Sequence, residues 1–149
     1  MKIEEAIKQR RPFINDYQRA AVNLIFTSNW LNEQHRAFFK AYNLTRKQFN
    51  VLRILKGAEK PISTAIIRER LIDKMSDASR VVDRLEKKQL VSKHTCPSDK
   101  RLVDIALTEE GELLLLEIAK KENQLGDVLK NLSEKEVIIL SNLLDKLRG

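Results

Sequence analysis

With 149 residues, 28 Lys or Arg, 21 Asp or Glu and a net charge of +7, the chain has room for one domain with an extended arm and none for two catalytic domains. Its apolar runs, such as Leu113 to Leu116 and Val137 to Leu140, fall far short of the roughly 20 residues a membrane span needs, and Met1 to Arg11 is too charged for a signal peptide. Cys96 is the only cysteine, which excludes an intrachain disulfide and fits a reducing, cytoplasmic compartment.

The charge is unevenly placed. Arg46 through Leu107 holds 15 Lys or Arg against 8 Asp or Glu, while the remainder holds 13 of each, so the whole excess lies in the middle of the chain. Such a segment attracts a phosphate backbone through steering and counterion release, and other polyanions by the same means.

In chain order, Ile3, Ala6 and Ile7 predict a short amphipathic segment stopped by Pro12, too short to stand alone and expected to dock, with a partner subunit as the natural candidate. From about Ile14 to Tyr42, one stripe carries Ala21, Leu24, Ile25, Ser28, Leu31, His35, Phe38, Phe39 and Tyr42, which predicts a long helix. On that stripe His35 reads as a satisfied core or interface histidine, and Trp30 as packing. Asn43-Leu44 breaks the pattern, and Thr45-Arg46-Lys47-Gln48 is a capping box that opens a second helix ending at Gly57. Pro61-Ile62-Ser63-Thr64 punctuates again. Ser63 or Thr64 then caps a helix from Ala65 to about Leu71, and either hydroxyl also suits a phosphate, capping being the simpler use.

The next helix, expected over Ser76 to Lys88, is the centre of the reading. Ala78, Val81, Val82 and Leu85 fall on one narrow arc. Ser76, Arg80, Asp83 and Lys87 project opposite, flanked by Ser79 and Arg84, a surface of short hydrogen-bonding groups and cations that a DNA major groove accepts. The plainer alternative is a solvated face whose Asp83 pairs locally with Arg80 and Lys87. Val91 to Cys96, a Pro97-Ser98-Asp99 turn and Arg101 to Leu107 then read as a β-hairpin, because Val103, Ile105 and Leu107 alternate with Leu102, Asp104 and Ala106.

Beyond the hairpin, Thr108 caps a helix rich in Glu at its first turn and expected to run to about Asn131 through Leu114, Ile118, Leu125, Val128 and Leu129. Ser133-Glu134-Lys135-Glu136 opens a last one with Val137, Leu140, Leu144 and Leu147 on a stripe. The expected order is therefore four helices, a hairpin and two helices, in a mainly α fold with a small β-hairpin. No catalytic constellation is visible, so an enzyme is not expected. His94-x-Cys96 is the nearest approach to a metal site, with too few further ligands to complete one, and no cofactor is implied. Cys96 lies near Lys93 and Lys100, which leaves a redox role open, but an incidental surface thiol is the reading adopted.

The run Ser79-Arg80-Val81-Val82-Asp83-Arg84-Leu85-Glu86-Lys87-Lys88-Gln89-Leu90-Val91, then Asp99-Lys100-Arg101, then Leu107-Thr108-Glu109-Glu110-Gly111, resembles the MarR family of bacterial winged helix-turn-helix regulators, most closely from Leu44 to Gly111. One departure is Gln89, where the family usually has Gly, so that helix is expected to end differently. The resemblance implies a winged helix-turn-helix DNA-binding domain at 45–107, with 1–44 and 108–149 joining two chains into a helical dimerisation domain. It also implies a homodimeric, sequence-specific repressor of an inverted-repeat operator, binding double-stranded DNA. DNA contacts are then expected from Ser63, Thr64, Ser76, Asp77, Ser79, Arg80, Arg84 and Lys87, and at the wing from Lys100 and Arg101, with Asp99 orienting Arg101. Similar proteins bind small, often aromatic or anionic effectors in a cleft between the dimer helices and the winged domain. Two competing readings are a winged-helix protein-interaction module and a small-ligand-binding protein without specific DNA recognition.

Overall fold

The computed structural model describes the backbone of all 149 residues and every side chain except those of Cys96, Lys100 and Arg101. Eight helices and three strands succeed one another: α1 (Ile3–Ala6), α2 (Asp16–Lys40), α3 (Arg46–Ala58), β1 (Ile62–Ser63), α4 (Thr64–Arg70), α5 (Ala78–Lys87), β2 (Val91–Cys96), β3 (Asp99–Leu107), α6 (Glu109–Ala119), α7 (Asn123–Gly126) and α8 (Glu134–Arg148), with one 3-10 turn at Asp127–Leu129. The fold is mainly α, as expected. Among the described residues no helix is long and apolar enough to cross a membrane.

Side-chain caps decide where the helices begin. The Thr45 hydroxyl accepts from Gln48 N–H at 3.1 Å while Gln48 Oε1 accepts from Thr45 N–H at 3.0 Å, which is the reciprocal box read from the sequence. Ser133 opens α8 with a second such box, while Ser63, Asp77 and Thr108 cap α4, α5 and α6 through one accepted hydrogen bond each. Each cap contributes about 1 kcal/mol by satisfying an amide the helix itself leaves open.

The core gathers Phe39 from α2, Val51, Leu52 and Leu55 from α3, Ile67 from α4, Val82 and Leu85 from α5, Ile105 from β3 and Ile118 from α6, all nearly or completely buried. Burying Val82 and Leu85 alone removes enough apolar surface to contribute about 1.5–3 kcal/mol each.

Four details differ from the sequence expectation. Ile62 and Ser63 do more than punctuate: they pair with Ile105 and Asp104, adding a short outer strand and giving a sheet of order β1-β3-β2. Pro61, which has no N–H, and the capping Ser63 keep that strand to two residues. The helix expected to reach Asn131 stops at Ala119, and the chain continues as the short α7 and the 3-10 turn. The break leaves the Leu125 carbonyl available, and His35 Nε2 lies 3.0 Å from it. His35 is thus the satisfied, half-buried histidine that was expected. Thirdly, α1 docks within its own chain: Ile3 is buried there, and Glu4 holds Arg19 of α2 at 2.6 Å. Trp30, read as packing, is 41% exposed in the single chain.

The fourth concerns Gln89. It takes the left-handed conformation that suits glycine, φ 60°, and α5 ends as though glycine were present. Gln89 N–H reaches Glu86 O at 2.8 Å and Leu90 N–H reaches Leu85 O at 3.1 Å, the two bonds of a Schellman end. The junction with α6 depends on this exit from α5. Thr108 N–H donates to Leu90 O and the Thr108 hydroxyl to Gln89 O, while the same hydroxyl caps Gly111 N–H. A Cβ on Gly111 would stand 2.2 Å from Leu90 O, so only glycine fits. The Leu-Thr-x-x-Gly segment therefore bolts the end of α5 to the start of α6.

Candidate nucleic-acid interface

Helix α5 presents two opposed faces. Ala78, Val82 and Leu85 are buried and Val81 is half-buried, whereas Ser79, Arg80, Asp83, Arg84 and Lys87 are exposed. Position on a helix wheel explains every one of these placements, but it fails for Ser76. That residue precedes the first helical residue, Ala78, so the 100° projection does not apply to it, and it is only 7% exposed. Ser76 is accordingly not on the outer face assigned to it from periodicity.

Asp77 takes the capping role: its Oδ1 accepts from Arg80 N–H at 3.1 Å. Its other oxygen is 3.8 Å from Arg80 Nε, in a pair exposed on both sides and therefore weak. Ser63 caps α4 through Ile66 N–H at 3.4 Å, and Thr64 is the first residue of that helix, half-buried. The alternative of local pairing along α5 does not describe Asp83. This carboxylate is 2.5 Å from Lys93 of β2, which also lies 3.1 Å from Glu86. The Lys93 ammonium holds the Asp83 carboxyl below its ordinary range, and Asp83 and then Glu86 raise Lys93 in return. The consequence is geometric: one cation on the wing ties down two acids of α5, leaving Arg80, Arg84 and Lys87 to dominate the outer face.

The wing is the β2–β3 hairpin, paired in register from Val91 opposite Leu107 to Thr95 opposite Val103, with an irregularity before Cys96. The expected wing contacts Lys100 and Arg101, and the thiol of Cys96, lie outside the described side chains. His94 is exposed and its Nε2 is 2.9 Å from Ser92 Oγ. Among the described residues no three or more His, Cys, Asp or Glu gather as metal ligands.

A second feature lies in the region where the resemblance implied a cleft, although none of its residues other than Arg84 was singled out as a site residue. A cleft of about 650 Å³ lies between the end of α2, the start of α3 and one side of α5. Phe39, Leu44 and Val81 supply its apolar lining, and Arg36, Lys40, Arg46, Lys47, Arg84 and Lys88 surround it with cations against the single acid Glu33. No local signal announces it, because the six cations come from three separated stretches of chain. Met75, 93% exposed at the approach to α5, and Ile72, 71% exposed, were not singled out either.

A helix-turn-helix made by α4 and α5, followed by the β2–β3 wing of a three-stranded sheet, defines a winged helix-turn-helix fold. Residues 44–103 match the model of the MarR family. Solved structures agree over nearly the whole chain. A cysteine-to-serine mutant of MarR from E. coli, complexed with operator DNA, is 23% identical with a TM-score of 0.81 over 93% of this chain and 100% of that one. The organohalide-sensing regulator RdhR, in its 2,4-dichlorophenol-bound form, is 21% identical with a TM-score of 0.83 over 94% and 86%. A MarR-like regulator from Bacillus cereus ATCC 10987 is 19% identical, with a TM-score of 0.78 over 89% and 96%. Residues 44–103 thus carry the sequence pattern of the MarR family, and the solved structures extend the likeness of fold over the rest of the chain.

Proposed function

We propose that the protein is a cytoplasmic homodimeric repressor that binds an inverted-repeat operator and is released by a small aromatic or anionic effector. The observation that carries the DNA-reading part is α5: its apolar side is sealed into the core, and its outer side offers Ser79, Arg80, Arg84 and Lys87 with the competing acids drawn to Lys93. Arg80 is 74% exposed and reaches outward from the first turn of the helix, where base edges are met. In this reading Arg80 and Arg84 contact guanine or phosphate, Ser79 adapts to either, and Arg101, oriented by Asp99 and flanked by Lys100, enters the minor groove. Two copies of α5 related by a two-fold axis address half-sites about 10 base pairs apart. Dimerisation through 1–44 and 108–149 is supported by apolar residues left exposed on α2, α6 and α8. The cationic cleft supports the effector, since an aromatic anion matches both its apolar lining and its charge. Binding and release of DNA need no catalytic group.

The test is selection from a randomised duplex pool followed by anisotropy titration of the enriched sequence across a salt series. We expect an inverted repeat. Arg80→Ala should cost about 1–3 kcal/mol and relax selectivity at one position if the contact is to a base, or lower the salt slope by about one if it is to a phosphate. Arg101→Ala should weaken the same operator. Enrichment of no sequence, with steep salt dependence shared by both variants, would overturn the reading in favour of a protein-interaction module.

A further inference from the structure

The turn between α4 and α5 is held from α3 at two points. Asn50 Oδ1 accepts from Ile72 N–H at 3.0 Å, and the Lys47 ammonium is 2.9 Å from Asp73 Oδ2. Asp73 in turn shapes the approach to α5. Its Oδ1 accepts from Met75 N–H at 3.1 Å and its carbonyl from Ser76 N–H at 3.1 Å. Ser76 Oγ is buried beneath this turn, and the Asp73 carboxyl is held below its ordinary range first by the Lys47 ammonium and then by the Ser76 hydroxyl.

A small void under the turn is bounded by Arg46, Lys47, Asn50, Asp73 and Ser76, and Arg46 and Lys47 also line the large cationic cleft. Lys47 is half-exposed, with its side chain at 49%, and it lines both the void and the cleft while paired to Asp73. One cation therefore serves two anionic claimants: the Asp73 carboxylate on one side, and on the other any anion that enters the cleft.

We propose that Lys47 couples the cleft to the helix-turn-helix: with the cleft empty its ammonium holds Asp73 and sets where α5 begins, and a small carboxylate in the cleft takes Lys47 away and frees that turn. The proposal rests on the cleft being the effector site. Lys47 acts here as a positioning residue, without contact to DNA. A ligand shifts an equilibrium only through different affinity for the two states, and competition for one cation supplies that difference. By reciprocity, whatever strengthens the Lys47–Asp73 contact must weaken the anion.

Asp73→Asn is the decisive variant because charge and positioning predict opposite signs. Removing an acid close to DNA strengthens binding by simple electrostatics, whereas loss of the positioning contact weakens it. With benzoate as probe at constant ionic strength, benzoate should weaken operator binding by the unaltered protein. Asp73→Asn should bind the selected operator about fivefold more weakly, bind unrelated duplex no more weakly, and bind benzoate more tightly, yet its operator affinity should hardly respond to benzoate. Lys47→Met should lose benzoate affinity and the response together, and Asp73→Asn should add nothing in that background. Operator binding by Asp73→Asn that equals or exceeds that of the unaltered protein overturns the proposal. If benzoate does not affect operator binding by the unaltered protein, the effector reading of the cleft fails and the coupling with it. If it affects the unaltered protein and Asp73→Asn equally, the cleft reading stands and the coupling alone fails.

Discussion

Gln89 carries a conformational cost that its neighbours make unavoidable. Its φ of 60° places a side chain in the left-handed region, where a non-glycine residue costs about 1 kcal/mol or more. The chain accepts that cost because Gln89 O and Leu90 O are both acceptors for Thr108, and a different exit from α5 would break the junction with α6. Gln89→Gly should therefore raise stability by about 0.5–1 kcal/mol, the glycine's looser unfolded state offsetting part of the relief. Urea denaturation, at a protein concentration held constant because unfolding of a dimer depends on it, would check this. A decrease would mean that the Gln89 side chain stabilises the fold by contacts exceeding the strain.

At the scale of elements, α5 and β2 are joined by charge. Asp83 has its carboxyl held below the ordinary 3.8 by Lys93, so its contribution to stability is present above that value and is lost as pH falls through the lower folded-state value. Lys93 is raised above 10.5 by Asp83 and Glu86, so its contribution is present below 10.5 and is lost as pH rises through the higher folded-state value. Lys93→Met should consequently differ from the unaltered protein across the neutral plateau and converge with it at both extremes of pH. In DNA binding the same variant should lose affinity for operator and unrelated duplex alike, because Asp83 and Glu86 then face the phosphates unpaired. A pH-independent stability difference would assign the role of Lys93 to its aliphatic stem and not to its charge.

For the molecule as a whole, much apolar helix surface is left uncovered. No residue of α8 is buried, and Ile138, Ile139, Leu143 and Leu147 are 57–67% exposed, as are Leu113 and Leu116 on α6 at nearly the same level. On α2 the chemistry changes along the length: Phe38 and Phe39 stack edge to face at 5.3 Å within the core end, while Leu24 and Ile25 are left open to solvent. A chain exposing this many large apolar side chains on its helices is stabilised by covering them, and in the proposed dimer a second copy brings the same surface. Leu143→Glu should raise the dimer dissociation constant at least about a hundredfold, since an unpaired charge in a buried interface costs about 3 kcal/mol or more. Sedimentation would show monomer, and operator affinity would fall with it. A dimer of undiminished strength would place the interface elsewhere. Two ion pairs, Lys56 with Glu112 at 3.3 Å and Arg53 with Glu122, connect α3 to α6 and the segment that follows it.

Local rules accounted for much of this. Caps at Thr45, Ser63, Thr108 and Ser133, the apolar arc of α5 and the alternation in β3 depend on residues a few positions apart, and all were legible from the sequence alone. So was the Leu-Thr-x-x-Gly pattern, although its reason, a glycine pressed against Leu90 O, needed the fold. The tertiary structure alone decided three things. Ser76 lies inward because it stands before the helix that periodicity extended to it. Asp83 chose Lys93, ten residues away across the wing, over the cations of its own helix. And the cleft with its six cations came into being only when α2, α3 and α5 met. Charge and hydrogen bonding act through space, and a sequence orders residues only along the chain.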